Sequence, residues 1–95
     1  MARTASFNHP LRKVYIAENI EAAKESAFFK DIQKEIEEIE NNPTAGVPMI
    51  HEDVIVIVKD HVFVDPIEYL EGWFKEEEEA KDLIEYTKMS LSWIN

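Results

Sequence analysis

Four residues, Asp65-Pro66-Ile67-Glu68, constrain the fold more tightly than any other stretch of this sequence. An aspartate accepts hydrogen bonds from the free amides of a helix's first turn. Proline suits the first helical position, where its missing N–H is not needed, and an acid three residues after the cap completes a capping box. A helix is therefore predicted from residue 66, with Ile67, Leu70, Trp73 and Phe74 on one side. Gly72 costs about 1 kcal/mol inside a helix and marks a break or kink, so a second helical segment is expected over 75–86. Trp73 and Phe74 are expected to close the core. The run Glu76-Glu77-Glu78-Glu79 then falls in the first turn of the second segment, where acids suit the helix dipole.

Before this helix the sequence reads as sheet. Val54–Val58 is a β-branched run, which favours a pleated strand. His51-Glu52-Asp53 and Lys59-Asp60-His61 read as turns, giving an antiparallel meander over 47–50, 54–58 and 62–64; one long strand over 54–64 is the alternative. At the C-terminus Met89, Leu91 and Trp93 alternate with Ser90 and Ser92, a period of two that predicts a final strand with one buried face. Upstream, Phe29, Ile32, Ile36 and Ile39 recur at spacings of three and four, with Phe28 widening the stripe. They predict a helix from about Asn19 to Glu40. That helix should end near Asn41-Asn42-Pro43, because proline disfavours helical geometry in the residue before it. Residues 12–17 fit a strand or a first helical turn equally well. Residues 1–10 are expected to be a flexible tail, with Asn8-His9-Pro10 as a turn or helix start.

The resulting expectation is one α+β domain over 1–95, with a long N-terminal helix. A small antiparallel sheet (the meander plus the C-terminal strand) and one or two helices after Asp65 complete it. Phe29, Ile32, Ile36, Val56, Leu70, Phe74 and Ile84 should form its core.

Charge, not motif, carries the functional argument. The chain has 20 acidic and 10 basic residues, a net charge of −10, and 45% hydrophobic residues, enough for a fold rather than a disordered polyampholyte. Residues 1–34 carry six bases and four acids; residues 35–95 carry sixteen acids and four lysines, so the two parts stand at +2 and −12. Such a surface repels nucleic-acid phosphates and anionic lipid and attracts basic proteins. With no cysteine, disulfides, zinc–thiolate sites and thiol catalysis are excluded. No apolar run approaches the roughly 20 residues of a membrane helix. The N-terminus lacks the apolar core of a secretory signal, so the cytoplasm is the expected location. The only glycines are Gly46 and Gly72, which leaves no phosphate-binding loop, and no serine has a nucleophile context. Neither enzymatic activity nor a cofactor is expected.

The candidate partner-binding residues are the clustered acids: Glu35, Glu37, Glu38 and Glu40, the turn acids Glu52 and Asp53, and Glu76, Glu77, Glu78, Glu79 and Asp82. The first four crowd the C-terminal end of a helix, where the dipole prefers cations. Such a breach of a local rule marks a place to look for function. Four successive glutamates on a helix step round it by about 100° each and cannot form one row. His51-Glu52-Asp53 and Asp60-His61 contain metal-ligating types, but opposite ends of one strand hold them too far apart for a shared site, and no metal is expected. Arg3, Arg12 and Lys13 with Phe7 and Tyr15 form a small basic–aromatic N-terminus, poor electrostatics for phosphate on so acidic a chain. It suits the acidic face of a second copy better.

Lys30 to Val47, KDIQKEIEEIENNPTAGV, resembles the first helix and following loop of ubiquitin-conjugating enzymes. That family's chemistry needs a cysteine, which this shorter chain does not have, so no activity or residue role carries over. In size and charge alone the chain also resembles the small acidic DNA mimics of phages and mobile elements. That resemblance implies a basic nucleic-acid-binding protein as partner, with no direct contact to nucleic acid or membrane. The alternative is a structural or adaptor protein, or a homodimer, whose charge serves only solubility.

Overall fold

The computed structural model describes residues 3–42 and 46–94. The chain begins with two strands, β1 (Thr4–Asn8) and β2 (Lys13–Ala17), paired antiparallel from Thr4↔Ala17 to Asn8↔Lys13. The expected flexible tail is thus, from residue 4 onward, an edge strand; Met1 and Ala2 lie outside the described residues. Between the strands, the Leu11 amide donates to His9 Nδ1 at 3.2 Å and the His9 amide to the Arg12 carbonyl at 3.1 Å. Residues 12–17, left open between strand and helix, are strand from Lys13.

Next come α1 (Ile20–Glu25) and α2 (Phe29–Asn41), where one long helix was expected. Asn19 starts α1, its Oδ1 accepting from the Ala22 amide at 2.8 Å. Ser26 ends it: both its amide (3.2 Å) and its hydroxyl (2.6 Å) bond the carbonyl of Ala23. A serine that satisfies the backbone locally competes with helix propagation, and the apolar spacing across the break hides this. α2 ends at Asn41, as the following proline requires; Pro43 itself lies outside the described residues.

β3 (Met49–His51) and β4 (Val54–Val58) form the second hairpin, turning at Glu52-Asp53 as expected. Glu52 adopts φ 50°, an uncommon conformation for a residue with a side chain. The third strand of the meander is not formed, and neither is the single long strand. Lys59–His61 is a 3-10 turn, and 62–64 runs on without strand structure.

The sheet order is β1-β2-β4-β3, with β2 and β4 parallel, so the sheet is mixed rather than antiparallel. The parallel pair follows from the two strands near the N-terminus. β2 must cross over through α1, α2 and β3 to reach β4, and a crossover of this length is what parallel neighbours need.

After it, α3 (Pro66–Trp73) starts where the sequence placed it. Asp65 Oδ1 accepts from the amides of Ile67 at 2.9 Å and Glu68 at 3.3 Å. The last helix, α4 (Ala80–Trp93), replaces both the helix expected over 75–86 and the expected C-terminal strand. Its buried residues Ala80, Leu83, Thr87 and Ser90, with Ile94 just beyond, are spaced by three and four, a helical period. The alternation of Met89, Leu91 and Trp93 is incidental.

Helices cover both faces of the sheet. Val14, Ile16, Ile55 and Ile57 pack with Leu70, Phe74, Leu83 and Ile94 on the α3/α4 side. Tyr15, Ala17, Val56 and Val58 pack with Ala23, Ile32, Ile36 and Ile39 on the α1/α2 side. A central strand buried on both faces has no polar alternate positions, which is why Val54–Val58 reads as an unbroken apolar run. Of the expected core, Ile32, Ile36, Val56, Leu70 and Phe74 are buried and Phe29 and Ile84 half-buried; Trp73 stays 55% exposed and closes nothing.

Tyr15 gives this core a pH signature. Only 8% exposed, its ring lies 5.0 Å from that of Phe28. Burial, with the charges of Asp31 and Asp53 adding to it, raises its phenol pKa above the usual tyrosine value. The native state therefore holds this proton more tightly than the unfolded chain does. Stability from this group is full below the unfolded-state pKa of about 10 and is lost as pH rises through the higher native value. Chemical denaturation as a function of pH should show Tyr15→Phe losing less stability than the parent in alkali; equal losses would contradict this role.

Candidate interaction surfaces

The acids of α2 do not form one surface. Glu35 is 7% exposed, with Oε2 3.3 Å from Nδ1 of His51 on β3. Its carboxylate is buried against β3 and does not lie on the exposed acidic surface with Glu37 and Glu38. The helical spacing Ile32–Glu35–Ile39 carried that signal, since the position sits on the same inward stripe. Glu40 also has an internal partner, Lys24 of α1, whose Nζ lies 2.9 Å from Oε2. This cation from a neighbouring helix accounts for one acid at the unfavourable helix end, although an exposed pair contributes at most about 1 kcal/mol. Glu37 and Glu38 are exposed, with no ion pair among the described residues.

Glu52 and Asp53 project from the β3–β4 turn, both exposed, and the Asp53 carbonyl accepts from the Lys13 amide at 2.7 Å. Glu76–Glu79 are also exposed but lie in the link between α3 and α4, with only Glu79 at the cap of α4. The link is held at both ends. Phe74 is 4% exposed under the Arg12 guanidinium, which sits 5.6 Å from its ring centroid, and Ala80 is 1% exposed. Successive turns, Glu77 amide to Phe74 carbonyl (2.9 Å) and Ala80 amide to Glu77 carbonyl (3.1 Å), fix the backbone between them. The aromatic residue beside the glutamates is an anchor that holds them outward. Asp82 is exposed one turn further on. The sheet separates this group from Glu37 and Glu38, since the first belongs to the α3/α4 side and the second to the α1/α2 side.

Most of the basic–aromatic N-terminal residues have partners within the fold, while Lys13 is exposed. Arg3 bridges Glu18 at 3.3 Å and Glu25 at 3.2 Å, Phe7 meets the edge of Tyr86 at 5.9 Å, and Tyr15 is core. Among the described residues no group of three or more histidine and acidic side chains is placed to hold a metal ion. No helix there is long and apolar enough to cross a membrane.

Two features escaped the sequence. One is an open groove of about 420 Å³ between edge strand β1 and α4, lined by Ala5, Phe7, Tyr86, Met89 and Trp93 and, among the described residues, by none that is charged. Reading residues 89–93 as a strand had put Met89 and Trp93 inward; they are 51% and 62% exposed. The other is a cavity of about 240 Å³ beside edge strand β3, between α2 and α3. Its walls come from separate elements that no local pattern joins. Comparison with protein-family models, curated proteins and solved structures finds no match to this chain.

Proposed function

We propose that this chain is a protein-binding module that presents an acidic surface to a basic partner. In its narrower form it is a mimic of nucleic acid that occupies the partner's nucleic-acid-binding site. The observation that carries the reading is the α3–α4 link. Glu76–Glu79 and Asp82 are exposed, have no ion pair among the described residues, and are held on a backbone anchored by Phe74 and Ala80. Adjacent like charges repel and do nothing for the core, whereas a basic partner would neutralise them. The molecule's longest dimension, 34 Å, is about one turn of duplex DNA. Because the sheet divides the acids, a single partner groove would meet one group, and the link carries the denser one.

Reversing Glu76–Glu79 to lysine should leave the fold intact and weaken binding to the basic protein recovered from lysate by at least about tenfold at low salt. The difference should shrink as salt rises. Glu37→Lys with Glu38→Lys tests the opposite face. If both sets bind like the parent, the charge serves solubility. If duplex DNA fails to compete, the narrower reading is wrong.

The groove beside β1 favours a second reading, a homodimer. Among the described residues no charged side chain lines it, on a chain at −10, and an edge strand has free backbone groups to pair. Concentration-dependent mass that Trp93→Ser abolishes would support it.

A further inference from the structure

We propose that the cavity beside β3 is a binding site for a small, uncharged, bicyclic aromatic molecule carrying one hydrogen-bond acceptor. This site is separate from the acidic surfaces. Size sets the first limit. An apolar cavity of about 150 Å³ accommodates one benzene ring, so about 240 Å³ suits two fused rings. The walls set the second. Ile39, Met49, Val58 and Val62 supply aliphatic surface, and Tyr69 and Trp73 of α3 stand near-parallel, with centroids 6.3 Å apart and planes 28° apart. Flat rings are well matched to such a surface. Among the described residues no lysine, arginine, aspartate or glutamate lines the space. A charged ligand would lose its hydration without gaining a counter-charge, so the ligand is neutral.

His61 sets the third limit. It lines the cavity, and its Nδ1 is buried with no hydrogen-bond partner among the described residues. A proton on Nδ1 would leave a buried donor unsatisfied. The favoured neutral tautomer therefore carries its proton on Nε2. The half-buried ring lines the cavity, and its one N–H is the donor that an acceptor on the ligand would meet. Trp73, 55% exposed, is left without the cover that a stacked ligand would give it.

Quinoline and naphthalene test this with the full chain, since they share a shape and differ by one ring acceptor. Titrations followed by amide proton–nitrogen spectra should show single-site saturation, with shifts centred on Met49, Val58, His61, Val62 and Trp73. Quinoline should bind about tenfold more tightly than naphthalene, the ratio expected of one hydrogen bond. His61→Phe keeps a ring but loses the donor, and should abolish that ratio while naphthalene still binds. Val62→Phe fills the space and should weaken both probes at least about tenfold. If that variant fails to fold, Trp73→Ala, at an exposed position, should weaken both. The proposal is overturned if neither probe saturates, if the shifts centre on the β1–α4 groove, if the two probes bind the parent equally, or if the ratio survives in His61→Phe.

Discussion

Deleting Met89–Asn95 is expected to leave the chain unfolded, or folded with most of its stability gone. The segment includes the last turn of α4, where Ser90 is 8% exposed and Ile94, just past the helix, is 2% exposed; Leu91 packs beside them. Ile94 belongs to the same cluster as Ile16, Ile57 and Leu83, so its loss opens the α3/α4 side of the sheet. Its carbonyl also accepts from Lys59 Nζ at 2.6 Å, tying the end of the chain to the end of β4. One fully buried aliphatic side chain contributes about 1.5–3 kcal/mol and a half-buried one less. Together with the cavity left behind, the loss comes to roughly 3–6 kcal/mol. A small domain stands near the low end of the usual 5–15 kcal/mol. Circular dichroism and denaturant titration of the truncated chain check this; an unchanged midpoint would show that the end of α4 is not part of the core. Trp93→Ala separates helix from strand. On a strand's buried face it would cost several kcal/mol, whereas at 62% exposure on α4 it should cost about 1 kcal/mol or less.

That contrast locates what the sequence could and could not convey. The start of α3 was legible because its cap is local chemistry: Asp65 and Pro66 act within one turn. The β3–β4 turn and the inward stripe of α2 were legible for the same reason, as short-range periodicity. The sheet's mixed character was not, because a parallel β2–β4 pair joins residues about forty positions apart and leaves no local mark. β1 was missed because Thr4–Asn8 lies on an edge and mixes apolar with small polar residues; its strand character comes from pairing with β2. The C-terminal strand was misread because five residues can satisfy a period of two by chance. The longer series from Ala80 to Ile94 carries the helical period. Among the acids, the exposure of Glu76–Glu79 was legible from composition. The burial of Glu35 beside His51 and the pairing of Glu40 with Lys24 depend on how α2 meets β3 and α1.

Replacing Ile36 by alanine is expected to cost about 2–5 kcal/mol. Its side chain is fully buried on the inner stripe of α2, in the cluster with Tyr15, Ala17, Val56 and Val58. This is the α1/α2 side of the sheet, and its helical cover is thin. The fully buried residues of α1 are Ala22 and Ala23, with Ile20, Phe28 and Phe29 only partly buried beside them, so Ile32, Ile36 and Ile39 supply most of the fully buried bulk. Ile32 sits at a kink, with φ −125° and ψ 15°, which leaves Ile36 at the centre of the regular part of the helix. Small residues nearby cannot expand into a vacated volume, so the cavity should persist and the cost should fall in the upper part of the range. Ile84→Ala provides the scale. Half-buried against the opposite cluster, it should lose about 1–2 kcal/mol. Denaturant midpoints of the two variants, at unchanged slope, give the comparison. If Ile36→Ala loses less than about 1 kcal/mol, or less than Ile84→Ala, α2 does not seal its face of the sheet, and the exposed positions of Glu37 and Glu38 fall with it.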